Sequence, residues 1–119
     1  MEKINLAEKL SQITEHWSPR IIGEINDTCV KLAKLKGEFL WHTHADEDEM
    51  FLVLDGELTI RFRTGDVLLR AGECLVIAKG TEHMPVAERE AHVLLIEPKT
   101  TLNTGNVRNE RTVDHPAKL

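Results

Sequence analysis

Between Arg20 and Glu97 the chain breaks into short apolar runs separated by turn residues. The breaks fall at Asn26-Asp27, Lys36-Gly37, Asp55-Gly56, Thr64-Gly65-Asp66, Ala71-Gly72, Lys79-Gly80 and Ala87-Glu88. Runs this short, rich in Val, Ile, Leu and Phe and punctuated by glycine, predict the strands of an all-β sandwich or barrel. Alternation with period two is clearest from Leu58 to Arg63. Successive side chains on a strand point to opposite sides, so Leu58, Ile60 and Phe62 share one face and Thr59, Arg61 and Arg63 the other.

A different rhythm precedes the strands. Leu6, Leu10, Ile13 and Trp17 recur at helical spacing, and Pro19 stops the pattern. Asn5 is placed to cap this helix, and Glu8, three residues on, completes a capping-box pattern. The stripe is expected to pack on the barrel or on a second subunit. After Pro98 the sequence turns polar and irregular, reading as an extended arm or a frayed tail. The expected organisation is one domain over 1–119, with a short helix in 1–19, a barrel over 20–98 and a C-terminal arm over 99–119.

Composition supports a globular chain. The 119 residues are 41% apolar and 29% charged, enough for a modest core and unlike a disordered segment. The net charge of −5 comes with no basic cluster, which argues against a nucleic-acid surface or an anionic-membrane patch. The longest apolar runs, Met50 to Leu54 and Cys74 to Ala78, are far too short to span a bilayer. Met1-Glu2-Lys3 leads into an amphipathic stretch without the apolar centre of a signal peptide, so a cytoplasmic setting is expected. Cys29 and Cys74 accordingly read as reduced thiols. Neither serine, Ser11 or Ser18, sits in a nucleophile elbow, and no phosphate-binding glycine loop is present. The chain has no tyrosine, which excludes mechanisms that need a phenolic acid.

The chemistry concentrates in Gly37 to Glu49. On a strand, residues two apart face the same way, so His42 and His44 project together and form a ready-made chelate. Glu49 opens the next strand on the face of Phe51 and Val53, and a hairpin through residues 45–48 is expected to fold it back towards the histidines. Asp46, Glu47 and Asp48 are then left in solvent. A third imidazole, His83, follows the Lys79-Gly80 turn.

Here the sequence resembles the cupins. Their first motif runs Gly, five residues, His-x-His, three or four residues, Glu, six residues, Gly. Gly37, His42, His44, Glu49 and Gly56 follow it with only the first gap short by one. The second motif runs Gly, five residues, Pro-x-Gly, two residues, His, three residues, Asn. Gly72, Gly80 and His83 match its spacing, while Ala78 stands for the proline and Ala87 for the asparagine. The resemblance covers residues 20–98 and is nearest to small single-domain proteins labelled mannose-6-phosphate isomerase-like. It implies a double-stranded β-helix, or jelly-roll barrel, with one divalent ion held inside by His42, His44, Glu49 and His83.

Three imidazoles and a carboxylate suit Mn, Fe, Ni or Co with two open positions, and Zn in a closed or open tetrahedron. Three functions stay open: an enzyme, a binding or sensing module, and a structural domain with an incidental ion. The enzyme would polarise a sugar, hydroxy acid or diketone for isomerisation, decarboxylation or oxygenation. His92, with Leu94 and Ile96 on its face, is a candidate cavity residue, and Arg61, Arg63 and Arg70 a candidate anion clamp. His16 and His115 are expected to be exposed. Because a small barrel leaves sheet edges bare, a two-fold homodimer is the expected assembly.

Overall fold

The computed structural model describes Met1–Leu119 throughout. In chain order the elements are α1 (Leu6–Ser11), β1 (Arg20–Ile25), β2 (Thr28–Glu38), β3 (Glu49–Asp55), β4 (Glu57–Phe62), β5 (Gly65–Arg70), β6 (Cys74–Ile77) and β7 (His83–Pro98). The fold is mostly β-strand with one short N-terminal helix, as the spacing of apolar runs and turns predicts. Every strand pair is antiparallel.

The long strand β7 closes the barrel. Its C-terminal half pairs with β2 on one side and β3 on the other, in the order β1-β2-β7-β3-β6. Its N-terminal half pairs with β4, which carries β5. Odd-numbered residues of β7 face inward on both halves: His83, Pro85 and Ala87, then Ala91, Val93, Leu95 and Glu97 are buried. They meet Ala33, Leu35, Phe51, Val53, Leu58 and Ile60, which form the apolar core. The β3–β4 connection is the single residue Gly56, at φ +82, where a Cβ would stand 2.9 Å from the Glu90 carbonyl oxygen. Only glycine tolerates that backbone and that approach together.

Two local expectations are corrected, and one left open between two readings is decided. The helix ends at Ser11 and does not continue towards Pro19. The Asn5 cap forms, with its side chain accepting the Glu8 N–H at 3.0 Å, but six residues are too few to sustain a helix without tertiary help. Ile13 is buried from outside the helix, and Trp17, at φ +59, reaches the barrel separately, with its N–H bonded to the Lys34 carbonyl. Its indole donates to the Lys36 carbonyl at 2.8 Å and its ring stacks on Phe39 at 4.7 Å.

Second, residues 45–48 are not a hairpin. β3 pairs with β6 and β7, whereas the histidine segment is bridged to His83 across the barrel. Residues 39–48 therefore run from β2 to β3 as irregular chain, with only His42 in a bridge. Of the two readings of residues 99–119, an extended arm or a frayed tail, the structure shows an arm laid onto the barrel. It ends along the edge of β1, where Ile21 donates to the Ala117 carbonyl and Leu119 to the Ile21 carbonyl, each at 2.9 Å.

Candidate metal centre

His42, His44, Glu49 and His83 reach the barrel interior from three places in the chain. His83 begins β7 in phase with the inward odd residues, and Glu49 begins β3 in phase with Phe51 and Val53. The connecting segment supplies His42 and His44, and the His42 N–H and C=O exchange 3.0 Å bonds with the backbone of His83. All four side chains are buried. One ligating atom from each lies within 4.8 Å of every other.

An ion bonded at ~2.0–2.2 Å to each ligand sets ligand atoms at most ~4.4 Å apart, so the cluster is within a few tenths of an ångström of closing on one. The donor set also behaves as one that lacks a partner. Both ring nitrogens of His44, Oε1 of Glu49 and Nε2 of His83 are buried without any hydrogen bond. Buried polar atoms are rarely left so, and three side chains carrying them around one point fit a cation. His42 Nδ1 donates to the Leu40 carbonyl at 3.0 Å and His83 Nδ1 to the Thr81 carbonyl at 2.9 Å, which leaves Nε2 of both rings as acceptors towards the centre. Burial, and then the neighbouring His83, push the His42 imidazole down to about 4. It is therefore neutral at pH 7, the form that can coordinate. Burial opposes the charge on Glu49, but the adjacent Glu97, His44 and His83 outweigh it and hold the carboxyl well below its usual range.

Two neighbours of this cluster are absent from the sequence-based expectations. Glu97 and Lys31 are buried inside the barrel, with Lys31 Nζ 2.9 Å from Glu97 Oε1. Two opposed effects act on Glu97: burial and the charge of Glu49 raise its carboxyl, Lys31 lowers it, and the first pair prevails. A signal existed. Glu97 continues the inward parity of Ala91, Val93 and Leu95, and Lys31 that of Cys29, Ala33 and Leu35. Cys29 faces Glu97 and Lys31 faces Leu95 across the strands, so the two charges are diagonal neighbours.

Beside the ligands lies a narrow cavity of about 40 Å³, walled by Trp17, Leu35, Phe39 and Leu95, with His42, Glu49 and Glu97 among its polar groups. The other candidates lie elsewhere. His92 has the outward parity of β7 and is bonded to Glu90, which also holds the exposed His16. Arg61 and Arg63 are exposed and sit over the Trp41 ring at 5.8 and 3.7 Å, and Arg70 is exposed, so no anion clamp forms inside. His115 is exposed. Asp46 and Asp48 are exposed, whereas Glu47 is half-buried and accepts the Thr100 hydroxyl at 3.0 Å. No helix is long and apolar enough to cross a membrane.

Known proteins resemble the chain at the levels of sequence and fold. The uncharacterised protein YdbB of Bacillus subtilis is 38% identical over 104 residues, spanning 78% of this chain and 92% of its own length. A crystal structure of a cupin-2 domain protein from Shewanella frigidimarina has 52% sequence identity and a TM-score of 0.79, covering 80% of this chain and 93% of that one. The hydroquinone 1,2-dioxygenase PnpCD, solved with Cd2+ and 4-hydroxybenzonitrile, shares the fold at 20% identity and a TM-score of 0.67, over 76% of this chain and 69% of that one. Residues 30–97 match the cupin domain itself, a stretch that includes all four clustered side chains, and with it this chain belongs to the cupin family.

Proposed function

We propose that this cupin binds one divalent ion, Mn, Fe, Ni, Co or Zn, on His42, His44, Glu49 and His83, and acts on a small oxygen-bearing metabolite. One observation carries the reading: four buried ligating groups converge, and three of them, His44, Glu49 and His83, hold buried atoms with no hydrogen-bond partner. A bound ion would supply Lewis acidity towards the oxygens of a sugar, hydroxy acid or diketone, for isomerisation, decarboxylation or oxygenation. The chain supplies the rest. Trp17, Leu35, Phe39 and Leu95 line the cavity with apolar surface. Glu97 Oε1 is held by Lys31, while Oε2 has no partner. With its carboxyl raised, Glu97 is the group placed to hold a proton beside the ligands.

A second reading, a non-catalytic module that binds or senses a small ligand through its metal, draws on the sparse polar lining. Asn103, the other polar residue of the wall, has both side-chain ends committed to Arg111 and Val113. The test is elemental analysis of tag-free protein, then a substrate screen after separate reloading with Mn, Fe, Ni and Zn. Turnover with one metal selects the enzyme; metal-dependent ligand binding without turnover selects the module. Absence of stoichiometric metal uptake sinks both.

The setting we propose is cytoplasmic, in keeping with two unpaired cysteines, Cys29 buried and Cys74 exposed. A homodimer is proposed from the apolar side chains bared on edge strands, Val67 and Leu68 on β5 and Val76 on β6. Light scattering that returns only the 13.5 kDa monomer mass at micromolar concentration would exclude it.

A further inference from the structure

The segment His42-Thr43-His44 carries two of the four clustered side chains, yet it is not part of a regular strand. On one side its backbone is held by the barrel: His42 exchanges two bonds with His83, and the Gly80 N–H donates to the His44 carbonyl at 2.8 Å. On the other side Thr43 turns its N–H and C=O outward. Both are taken by one residue of the C-terminal arm. Asn106 Oδ1 accepts the Thr43 N–H at 2.9 Å, and the Asn106 N–H donates to the Thr43 carbonyl at 3.1 Å.

The approach is close enough to require glycine next to it. A Cβ on Gly105, at φ +58, would lie 2.4 Å from the Thr43 carbonyl oxygen and 3.1 Å from Cδ2 of the His42 ring. The arm is itself braced. Thr104 is fully buried, with its hydroxyl 2.8 Å from that of Thr112. Farther along, the Arg111 guanidinium donates to the Glu38 carbonyl at 2.7 Å, at the start of the same connecting segment. The need for such a clasp is sharpest at His44. Its ring has no orienting hydrogen bond, unlike those of His42 and His83, so its direction depends on where its backbone is held.

We infer that Asn106, seated by Gly105, is a positioning residue of the metal centre, through which the C-terminal arm sets the placement of His42 and His44. The inference rests on the metal reading above. It extends the centre beyond residues 30–97, the part of the chain that matches the cupin domain.

The test uses Co(II) as the probe on the full-length protein, with affinity from competition against a chromogenic chelator and geometry from the Co(II) ligand-field bands. Asn106 is exposed, so Asn106→Ala leaves the core intact. We expect it to weaken Co(II) binding at least tenfold and to alter the bands, with the metal-free melting temperature little changed. Asn106→Asp keeps the acceptor oxygen and should restore both. Arg108→Ala, which removes only an exposed ion pair with Asp114 on the same arm, should bind Co(II) like the parent. Should Asn106→Ala not fold, Asn106→Ser, whose hydroxyl is too short to reach Thr43, gives the same readout. Parental affinity and bands in the Asn106 variant overturn the inference alone; a parent protein that takes up no Co(II) overturns the metal reading with it.

Discussion

Replacing Lys31 with methionine removes a cation from the barrel interior while keeping most of its length. In the parent, Lys31 and Glu97 side chains are 3% and 2% exposed, and Nζ stands 2.9 Å from Oε1. After the change Glu97 stays buried beside Glu49 with no cation. Breaking a buried pair by removing one partner costs about 3–5 kcal/mol, because the remaining charge is uncompensated. Glu97 has an escape, since its carboxyl already lies well above the usual range and can take up a proton. The expected loss is therefore at the lower end, about 3 kcal/mol. The double variant Lys31→Met with Glu97→Leu removes both charges, and a well-packed apolar pair in place of an ion pair is often neutral or stabilising. It should recover most of the loss, a coupling of about 2 kcal/mol or more. Urea unfolding of the metal-free parent, both single variants and the double variant at one pH measures all four corners. A Lys31→Met loss below about 1 kcal/mol would refute the reasoning, since even a protonated Glu97 is left as a buried polar group without its partner. A double variant no more stable than Lys31→Met would refute it too.

Three further outcomes follow. His42 falls from 6.5 to about 4 in the folded chain, so between those values the unfolded state takes up a proton that the folded state refuses. The metal-free protein should hold its full stability above about pH 6.5 and lose about 3 kcal/mol as pH falls to 4, at ~1.36 kcal/mol for each pH step of one between those values; melting curves across that range should be flatter for His42→Gln. Gly56→Ala places a Cβ 2.9 Å from the Glu90 carbonyl oxygen at φ +82, whereas a Cβ on Gly72, at φ +86, meets nothing within 4 Å. Both carry backbone strain of about 1–3 kcal/mol, so Gly56→Ala should be clearly the worse in urea unfolding, and equal losses would contradict the packing argument. Glu49→Gln should abolish stoichiometric metal uptake by elemental analysis while Asp46→Ala leaves it unchanged, and uptake lost equally in both would mean that the acidic run, not the buried carboxylate, holds the ion.

Local spacing carries the architecture, and with the resemblance to the cupin motifs it carries the four clustered side chains. Period-two alternation and turn residues are properties of neighbours in sequence, so they place the strands of residues 20–98 and give Leu58, Ile60, Phe51 and Val53 their inward faces. The same parity gives Glu49 its direction, whereas His42 and His44 lie in irregular chain and are aimed by the bonds of that segment to His83, Gly80 and Asn106. The inward face of β7 is not legible on these terms, because both faces of Ala91 to Ile96 are apolar: the His92, Leu94 and Ile96 face reads as the candidate lining, and the structure buries Val93, Leu95 and Glu97 instead. A charged residue on an apolar face looks like an error in phase until its partner is known, and the partner lies 66 residues away.

Tertiary structure decided what depends on pairing between distant segments. It ended α1 at Ser11, because Ile13 and Trp17 gain more from separate sites on the barrel than from a further helical turn. It turned residues 39–48 into an irregular connection rather than a hairpin, because β3 finds its partners in β6 and β7. The arm shows the divide most plainly. Nothing in the composition of residues 99–119 distinguishes a tail from a clasp. Only the approach of Asn106 to the unpaired N–H and C=O of Thr43 does so, because a backbone hydrogen-bonding need on one segment is met by a residue 63 positions later in the chain.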